Sequence, residues 1–403
     1  METTILDTIN AQELGKQLQE ARKQRGLTQA EAAEIIEVSR TTITALEKGE
    51  RRIKANELVE LARAYGRQVG DFVHPRPMID SFQVQFRSSY KRTMEDDQRI
   101  VKHIDEFEDL CRDYLELEKI TQSPFPHRYP PEYQMEGVPV EQAAESLAQE
   151  ERNRLGIGDG PVPILRDILE QEVGIRIFYI PMEPSNKFSA MYIYNEQLGG
   201  CIAVNSYHPE ERRRLSLAHD YAHFLAHRHK STVLVEGMYQ RQPESERFAD
   251  HFAYHFLMPS GSLTRRFNRI KQIQNRVTPG DLCTLANYYG VAVEALTRRL
   301  EDLRLLPTGL WDSLKERGFK VQETQKALAL KPIQAYDGML PKRYVYLAVR
   351  AYEEALITEG QFAKFLRVSR LEAREMAEQM VEQSQDLLDD GTREYRLIPS
   401  EAA

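Results

Sequence analysis

Cysteine is scarce in this chain of 403 residues: Cys111, Cys201 and Cys283 are odd in number and far apart, which excludes a disulfide framework and a thiolate zinc site. A reducing cytoplasm is the expected home. Long apolar runs are missing too, since no stretch approaches about 18 uninterrupted apolar residues. The start METTILDTINAQEL lacks a basic segment followed by an apolar one, so neither secretion nor membrane spanning is expected. An excess of basic charge is also absent. The net charge of −8 excludes a globally cationic nucleic-acid coat, although one locally basic face remains compatible with it. What the chain does have is length and 41% hydrophobic residues, enough for two or three domains with their own cores.

Residues 11–75 read as a run of short helices. Leu14, Leu18 and Ala21 share one helical face, and Gly26 suits a left-handed C-cap. Thr28 followed by Glu31 forms a capping-box pattern, and a third helix begins at Ser39 after a tight turn. Leu58, Leu61, Ala62 and Tyr65 can close a small core. The segment holds eleven Lys/Arg against ten Asp/Glu, so it is not basic overall, but Arg40, Lys48, Arg51, Arg52 and Lys54 bunch together.

This stretch resembles the XRE (Cro and lambda-repressor type) DNA-binding domain. The resemblance rests on Arg22, Gly26-Leu27-Thr28-Gln29, Ala33, Val38-Ser39-Arg40, Ile43, Glu47, Gly49 and Leu61-Ala62. It implies that Arg40, Thr41, Thr42 and Thr44 face base edges, while Gln29, Lys48, Arg51 and Arg52 reach phosphates. It also implies a double-stranded, two-fold symmetric operator and a homodimer.

Residues 76–138 are expected to be a helical linker with a proline-rich loop. SSYKRTMEDDQRIVKHIDEFEDLCRDYLELEKI reads as one long charged helix with Ile100, Ile104, Phe107 and Cys111 along a stripe for packing or a dimer contact. As a spacer, it would hold two working domains at a set distance.

Residues 139–306 begin with two helices around Gly156, Gly158 and Gly160. GIRIFYIPM and FSAMYIYNEQLGGCIAVNSYHP follow as strands. Next comes LSLAHDYAHFLAHRHK, which sets His219 and His223 one above the other on a helix, able to bind one zinc. Spacing alone is a weak signal. His227, a further turn along, is expected to be a wall residue or to support a ligand from behind rather than to be a third ligand. PESERFADHFAYHFLMP supplies Glu246 as a candidate ligand, with Asp250 four residues on to orient a histidine from behind.

Together, RRRLSLAHDYAHFLAHR and ESERFADHFAYHFLMP resemble the ImmA/IrrE (DUF955) metallopeptidase family. The matching positions are Ala218, His219, His223, Glu246, Ala249, Asp250, Phe252, Ala253, Leu257, Met258 and Pro259, with similarity from about Glu141 to Leu306. The resemblance implies a zinc ion held by His219, His223 and Glu246. It also implies a protease that cuts repressor-type proteins, in stress responses, mobile elements or phage defence. The strand carrying Gly199, Gly200, Ile202 and Asn205 is expected to hold the substrate backbone in extended form. Asp220 stands where the family carries glutamate. Its carboxylate is set back by about 1.5 Å, at the cost of hydrogen-bond reach. Tyr221, Tyr239, His251 and His255 are nearby candidates to assist it.

Residues 307–403 read as a helical module for protein contacts or sensing, with Phe362, Phe365, Leu366 and Val368 buried and a loose acidic end. The expected fold class is multidomain: an all-α helix-turn-helix domain, an α+β zincin-like metallopeptidase core and a helical C-terminal module. The expected function is a DNA-binding regulator whose zinc peptidase, with Asp220 as general base, cuts a repressor-type partner or its own linker near residues 75–95. The alternative is a DNA-binding sensor or antitoxin-like regulator with a metal-binding but non-hydrolytic site.

Overall fold

The computed structural model describes residues 10–67, 69–73, 79, 81–90, 98–126, 129–134, 137–235, 243–333 and 338–378. The chain divides into two units, Met1–Met78 and Ile79–Ala403.

In the first unit, α1 (Ala11–Gln24), α2 (Gln29–Ile35), α3 (Arg40–Glu47), α4 (Ala55–Tyr65) and the helical turn α5 (Gly70–Val73) enclose one core. Leu18, Ile43, Leu58 and Leu61 lie at its centre. Thr28 caps α2 in a reciprocal box with Glu31, and Ser39 caps α3 through the Thr42 amide. Between them Glu37 takes φ of 52°, the left-handed turn that swings the recognition helix away from α2. Arg22 of α1 and Glu47 of α3 form a buried ion pair at 2.5 Å, and Gln29 also donates to Glu47.

The second unit is built around a four-stranded sheet of order β1-β3-β2-β4. Its elements run α6 (Phe82–Tyr90), α7 (Gln98–Ile120), α8 (Val140–Arg154) and α9 (Leu165–Ile168), then β1 (Arg176–Ile180), β2 (Phe188–Asn195) and β3 (Gly199–Asn205). They continue through α10 (Glu210–Ala226), β4 (Thr232–Val235), α11 (Glu244–Leu257), α12 (Ser260–Gln274), α13 (Pro279–Tyr289) and α14 (Val293–Asp302). The last are α15 (Leu310–Glu316), α16 (Val321–Ala327), α17 (Lys342–Glu353) and α18 (Glu359–Leu366), followed by helical residues 370–378. β1 runs parallel to β3, while β2 is antiparallel to both β3 and β4.

Strand alternation feeds two cores. Ile177, Tyr179, Tyr192, Ile202 and Val204 face α8, α10 and α11. Phe178, Ile180, Met191, Ile193 and Ala203 face the other way, onto Ile104, Phe107 and Cys111 of α7 and Tyr344 and Leu347 of α17. The spacer expectation for α7 is thereby corrected. Its apolar stripe has the sheet to cover, so it forms a layer of the core. Of the 75–95 segment expected as a cleavage site, residues 75–78, 80 and 91–95 lie outside the described residues, and 82–90 form α6.

Arg176 of β1 binds Glu118 of α7 at 2.8 Å, and Arg343 of α17 reaches the same carboxylate at 2.9 Å. The pair at Arg176 is buried, and it ties sheet, long helix and C-terminal module together.

The turn that shapes the first unit recurs twice. Thr278 boxes with Asp281 before a left-handed Gly290, and Thr358 boxes with Gln361 before a left-handed Arg367. In the last copy Ser369 caps the next helix through the Glu372 amide at 3.3 Å, and the sequence Val368-Ser369-Arg370 repeats Val38-Ser39-Arg40. The copies differ on the outer side. Thr44 reaches Gln29 by a hydrogen bond of 3.4 Å, whereas the corresponding Arg374 and Glu359 form an ion pair at 2.9 Å.

Candidate metal centre

α10 opens after Pro209 with Glu210 and Glu211 in its first turn, where carboxylates complement the positive end of the helix dipole. Leu217, Ala218, Tyr221, Phe224 and Leu225 anchor it between sheet and neighbouring helices. Arg214 fixes its first half by donating to the carbonyls of Val162, Pro163 and Gly290. α11 opens after Pro243 and brings Glu246 into its own first turn, beside His219 and His223.

The three candidate ligands converge. His219 Nε2 lies 3.3 Å from one Glu246 oxygen, His223 Nε2 lies 3.4 Å from the other, and the two Nε2 atoms are 3.2 Å apart. Donors placed tetrahedrally at about 2.0–2.1 Å from one zinc ion would be about 3.3–3.4 Å apart. The separation of the two Nε2 atoms and the approach of each to a Glu246 oxygen lie near that figure, the two Glu246 contacts being to different oxygens, and one donor atom from each residue lies within 4.8 Å of the others. Among the described residues this is the group of His, Cys, Asp and Glu that meets a metal-site geometry.

Asp250, one turn along α11, bonds His219 Nδ1 at 2.8 Å. Placing the proton on Nδ1 leaves the Nε2 lone pair free to face His223 and Glu246. Burial disfavours charge on His219, but Asp250 and Glu246 outweigh it and, with no metal bound, raise its pKa to about 10, so a metal ion would displace the Nε2 proton. Burial lowers His223 to about 4. His223 Nδ1 has no hydrogen-bond partner among the described residues.

Asp220 is fully buried, and neither carboxylate oxygen has a hydrogen-bond partner among the described residues. Burial, with Glu246 adding repulsion, raises its pKa to about 7 against the pull of His219. An orphaned buried carboxylate is costly unless something else completes its shell. Beside a two-histidine, one-glutamate cluster, it fits a metal-bound water.

The substrate-strand expectation is corrected. β3 lies between β1 and β2, so Ile202 is paired on both sides, Gly199 and Gly200 pair with β2 while the Gly200 amide also donates to the Tyr129 hydroxyl, Asn205 pairs with β1, and all four are buried. The residues of its motif have structural work instead. A Cβ on Gly200 would come within 2.9 Å of Phe224, so glycine lets α10 sit on the sheet. Asn205 bonds Met182, Phe188 and Tyr207 main chain, closing the end of the strand. The sheet's edges are β1, already met by the Met339 carbonyl at the Tyr179 amide, and β4.

Other candidates are engaged elsewhere. The Tyr221 hydroxyl donates to Glu151 at 2.5 Å, His255 meets Arg299 at 2.9 Å, and His251 stands 3.8 Å from Glu141. Tyr239 lies outside the described residues. His227 stands as a wall, its ring 5.7 Å from that of His223 and 5.8 Å from that of Phe248.

In the first unit Arg40, Thr41, Lys48 and Arg52 are exposed on and beside α3, while Thr42 and Thr44 are half-buried on the same helix. Gln29 is committed to Glu47, and Arg51 forks onto Glu57 at 2.8 and 3.1 Å.

Among the described residues no helix is long and apolar enough to cross a membrane. No curated protein matches the chain. Solved structures of Bacillus thuringiensis PlcR in complex with the peptide PapR7 and DNA, and of ComR from Streptococcus suis, align with 94% of this chain and 96% of theirs. Identities are 11% and 10%, and the TM-score of 0.16 for each carries no argument. Family models match in two places: helix-turn-helix over residues 18–72, and IrrE N-terminal-like domain (Peptidase_M78) over residues 170–301. The chain therefore joins a helix-turn-helix domain of XRE type to a domain of the IrrE N-terminal-like family.

Proposed function

We propose that the protein is a DNA-binding transcription regulator whose IrrE-like domain is a zinc endopeptidase acting on a repressor-type protein or on its own chain. The observation that carries the enzyme half is the ligand triangle of His219, His223 and Glu246, with the orphaned Asp220 beside it. When bound there, zinc would polarise a scissile carbonyl and lower the pKa of a bound water. Asp250 holds the Nδ1 proton of His219 and keeps Nε2 as a donor atom. Asp220 takes a proton from the attacking water at its carboxylate and passes it to the leaving amine. With β3 enclosed, an extended substrate would pair with β4.

The DNA half rests on the exposed Arg40 and Thr41 at the start of α3, presented by the capped turn at Ser39. A homodimer on a two-fold symmetric operator follows from that mode of reading.

A non-hydrolytic reading is favoured by one feature, the aspartate in place of glutamate, whose shorter reach could leave a metal site that binds without cutting. Incubating the zinc-loaded chain with candidate helix-turn-helix repressors and with itself, followed by intact mass, separates the two. Fragments that vanish with Asp220→Ala and increase with Asp220→Glu support the peptidase. No fragments from the native chain, with cleavage restored by Asp220→Glu alone, would establish the sensor. Loss of sequence preference in Arg40→Ala tests the DNA half, and a native chain without such preference at low salt would overturn it.

A further inference from the structure

The cations of α12 take no part in the site described above. From Ser260 to Thr278 the chain carries Arg265, Arg266, Arg269, Lys271 and Arg276 and no acidic residue, within a protein of net charge −8. All five are exposed. α12 buries only Ser262, Leu263 and Phe267, so its cations do not serve packing.

Helical geometry gathers three of them. At 100° per residue, Arg265, Arg266 and Arg269 fall within an arc of about 100°, and Lys271 lies off it. Like charges four residues apart weaken a helix, so the row is unexplained by helix stability. Arg266 lies over Tyr288, 3.6 Å from the ring centroid, and bonds its hydroxyl. Those two contacts hold the guanidinium in place on the exposed face of the helix. The neighbouring acids neutralise the ridge only in part, at Arg265. Asp159 pairs with Arg265 at 2.8 Å, and Asp281 is occupied by the Thr278 amide and hydroxyl. Arg269, Lys271 and Arg276 have no ion-pair partner among the described residues.

We propose that the α12 ridge of Arg265, Arg266 and Arg269 binds the phosphate backbone of double-stranded DNA, at a surface separate from the helix-turn-helix domain. Guanidinium groups meet phosphate oxygens in a two-pronged fashion, and a row of arginines suits a chain of phosphates better than a single anion. The α12 helix is about 22 Å long, enough to track several phosphates. Ile273 and Tyr288, the latter covered by Arg266, are exposed large apolar residues on this side, too little for insertion into a lipid surface. Binding of this kind carries no base preference and adds salt-dependent affinity.

The test is the salt dependence of binding to a duplex of unrelated sequence, read by fluorescence anisotropy on the full chain in an Arg40→Ala background. Substituting Arg265, Arg266 and Arg269 together by Gln is expected to weaken binding at least tenfold. It should also flatten the slope of log K against log salt by about 2 to 3, near 0.9 for each phosphate left without its arginine. The same three positions changed to Lys should keep most of the slope, since the charge remains. An unchanged slope in the Gln variant, with native circular dichroism, overturns the proposal. So does an equal loss in the Lys variant, which would trace the effect to the helix rather than its charge. Vesicles of phosphatidylcholine and phosphatidylserine at about 3:1 form a further arm, since anionic lipid attracts the same cations. Binding to them that is lost in the Gln variant, while the DNA slope stands, would overturn it in favour of a membrane surface.

Discussion

His219 and Asp250 stand on different helices, α10 and α11, with Nδ1 and Oδ1 2.8 Å apart. The bond fixes which imidazole nitrogen is left to bind metal. Asp250 is partly exposed, with 44% of its side chain accessible, so removing it should spare the fold. Asp250→Ala is expected to weaken zinc affinity by about 10- to 100-fold, as loss of such a partner does elsewhere. Competition against a chromophoric chelator measures this. Unchanged affinity would mean that the carboxylate does not orient the ligand.

Asp220 gives a pH-dependent prediction for the metal-free protein. Its pKa is raised from 3.8 to about 7, so the folded state holds a proton that the unfolded chain releases. The contribution to stability is full below about pH 4 and disappears as pH rises through 7. Asp220→Asn is therefore expected to raise the melting temperature of metal-free protein at pH 8 and to change it little at pH 4. The difference between the two is expected to be roughly a few kcal/mol. Thermal unfolding at both pH values, with zinc chelated, decides it; an effect equal at both would show that ionisation is not the cause.

The helix-turn-helix core and the ligand trio were legible because they are local or nearly so. Thr28 with Glu31, and His219 with His223, are set by helix periodicity, and Glu246 and Asp250 lie on the next helix. The error at β3 came from a property that sequence does not carry: a strand's place in the sheet depends on which partners arrive on both sides. Gly200 and Asn205 looked like substrate contacts because a motif marks constraint without naming its source. Here the sources are Phe224 above the glycine and the main chain around the asparagine. The fate of α7 was hidden for the same reason. Its stripe announced burial, but its partner, the far face of the sheet, is assembled from residues roughly 70 to 100 positions away, beyond the reach of any local pattern.

Glu118 tests how firmly the C-terminal module belongs to the core. Its carboxylate is shared by buried Arg176 and by Arg343. Glu118→Ala would leave Arg176 buried with its charge uncompensated, at a cost of about 3–5 kcal/mol. Denaturant unfolding should then show a lower midpoint for the second unit, and limited proteolysis should release fragments from the 338–378 region. Glu118→Ala with native stability would mean that apolar packing alone, through Tyr344 and Leu347, holds the module.

The first unit has its own acid limit. Glu47 is buried, which alone would favour its neutral form, but Arg22, Gln29 and Gln19 bond the carboxylate and lower its pKa below 4.5. Glu57, likewise lowered despite burial, is held by Arg51 and the Lys54 amide. A depressed carboxylate pKa contributes stability above the unfolded value, and the contribution is lost as pH falls through the folded one. Amide exchange across residues 11–65 of the full chain is therefore expected to stay slow at pH 6 and to accelerate below about pH 4. Glu47→Gln should already exchange fast at pH 6, because Arg22 would keep its charge at a buried site with no anion to meet it. Should the native chain protect these amides equally at pH 6 and pH 3, the Arg22–Glu47 pair would not be what holds α1 against α3.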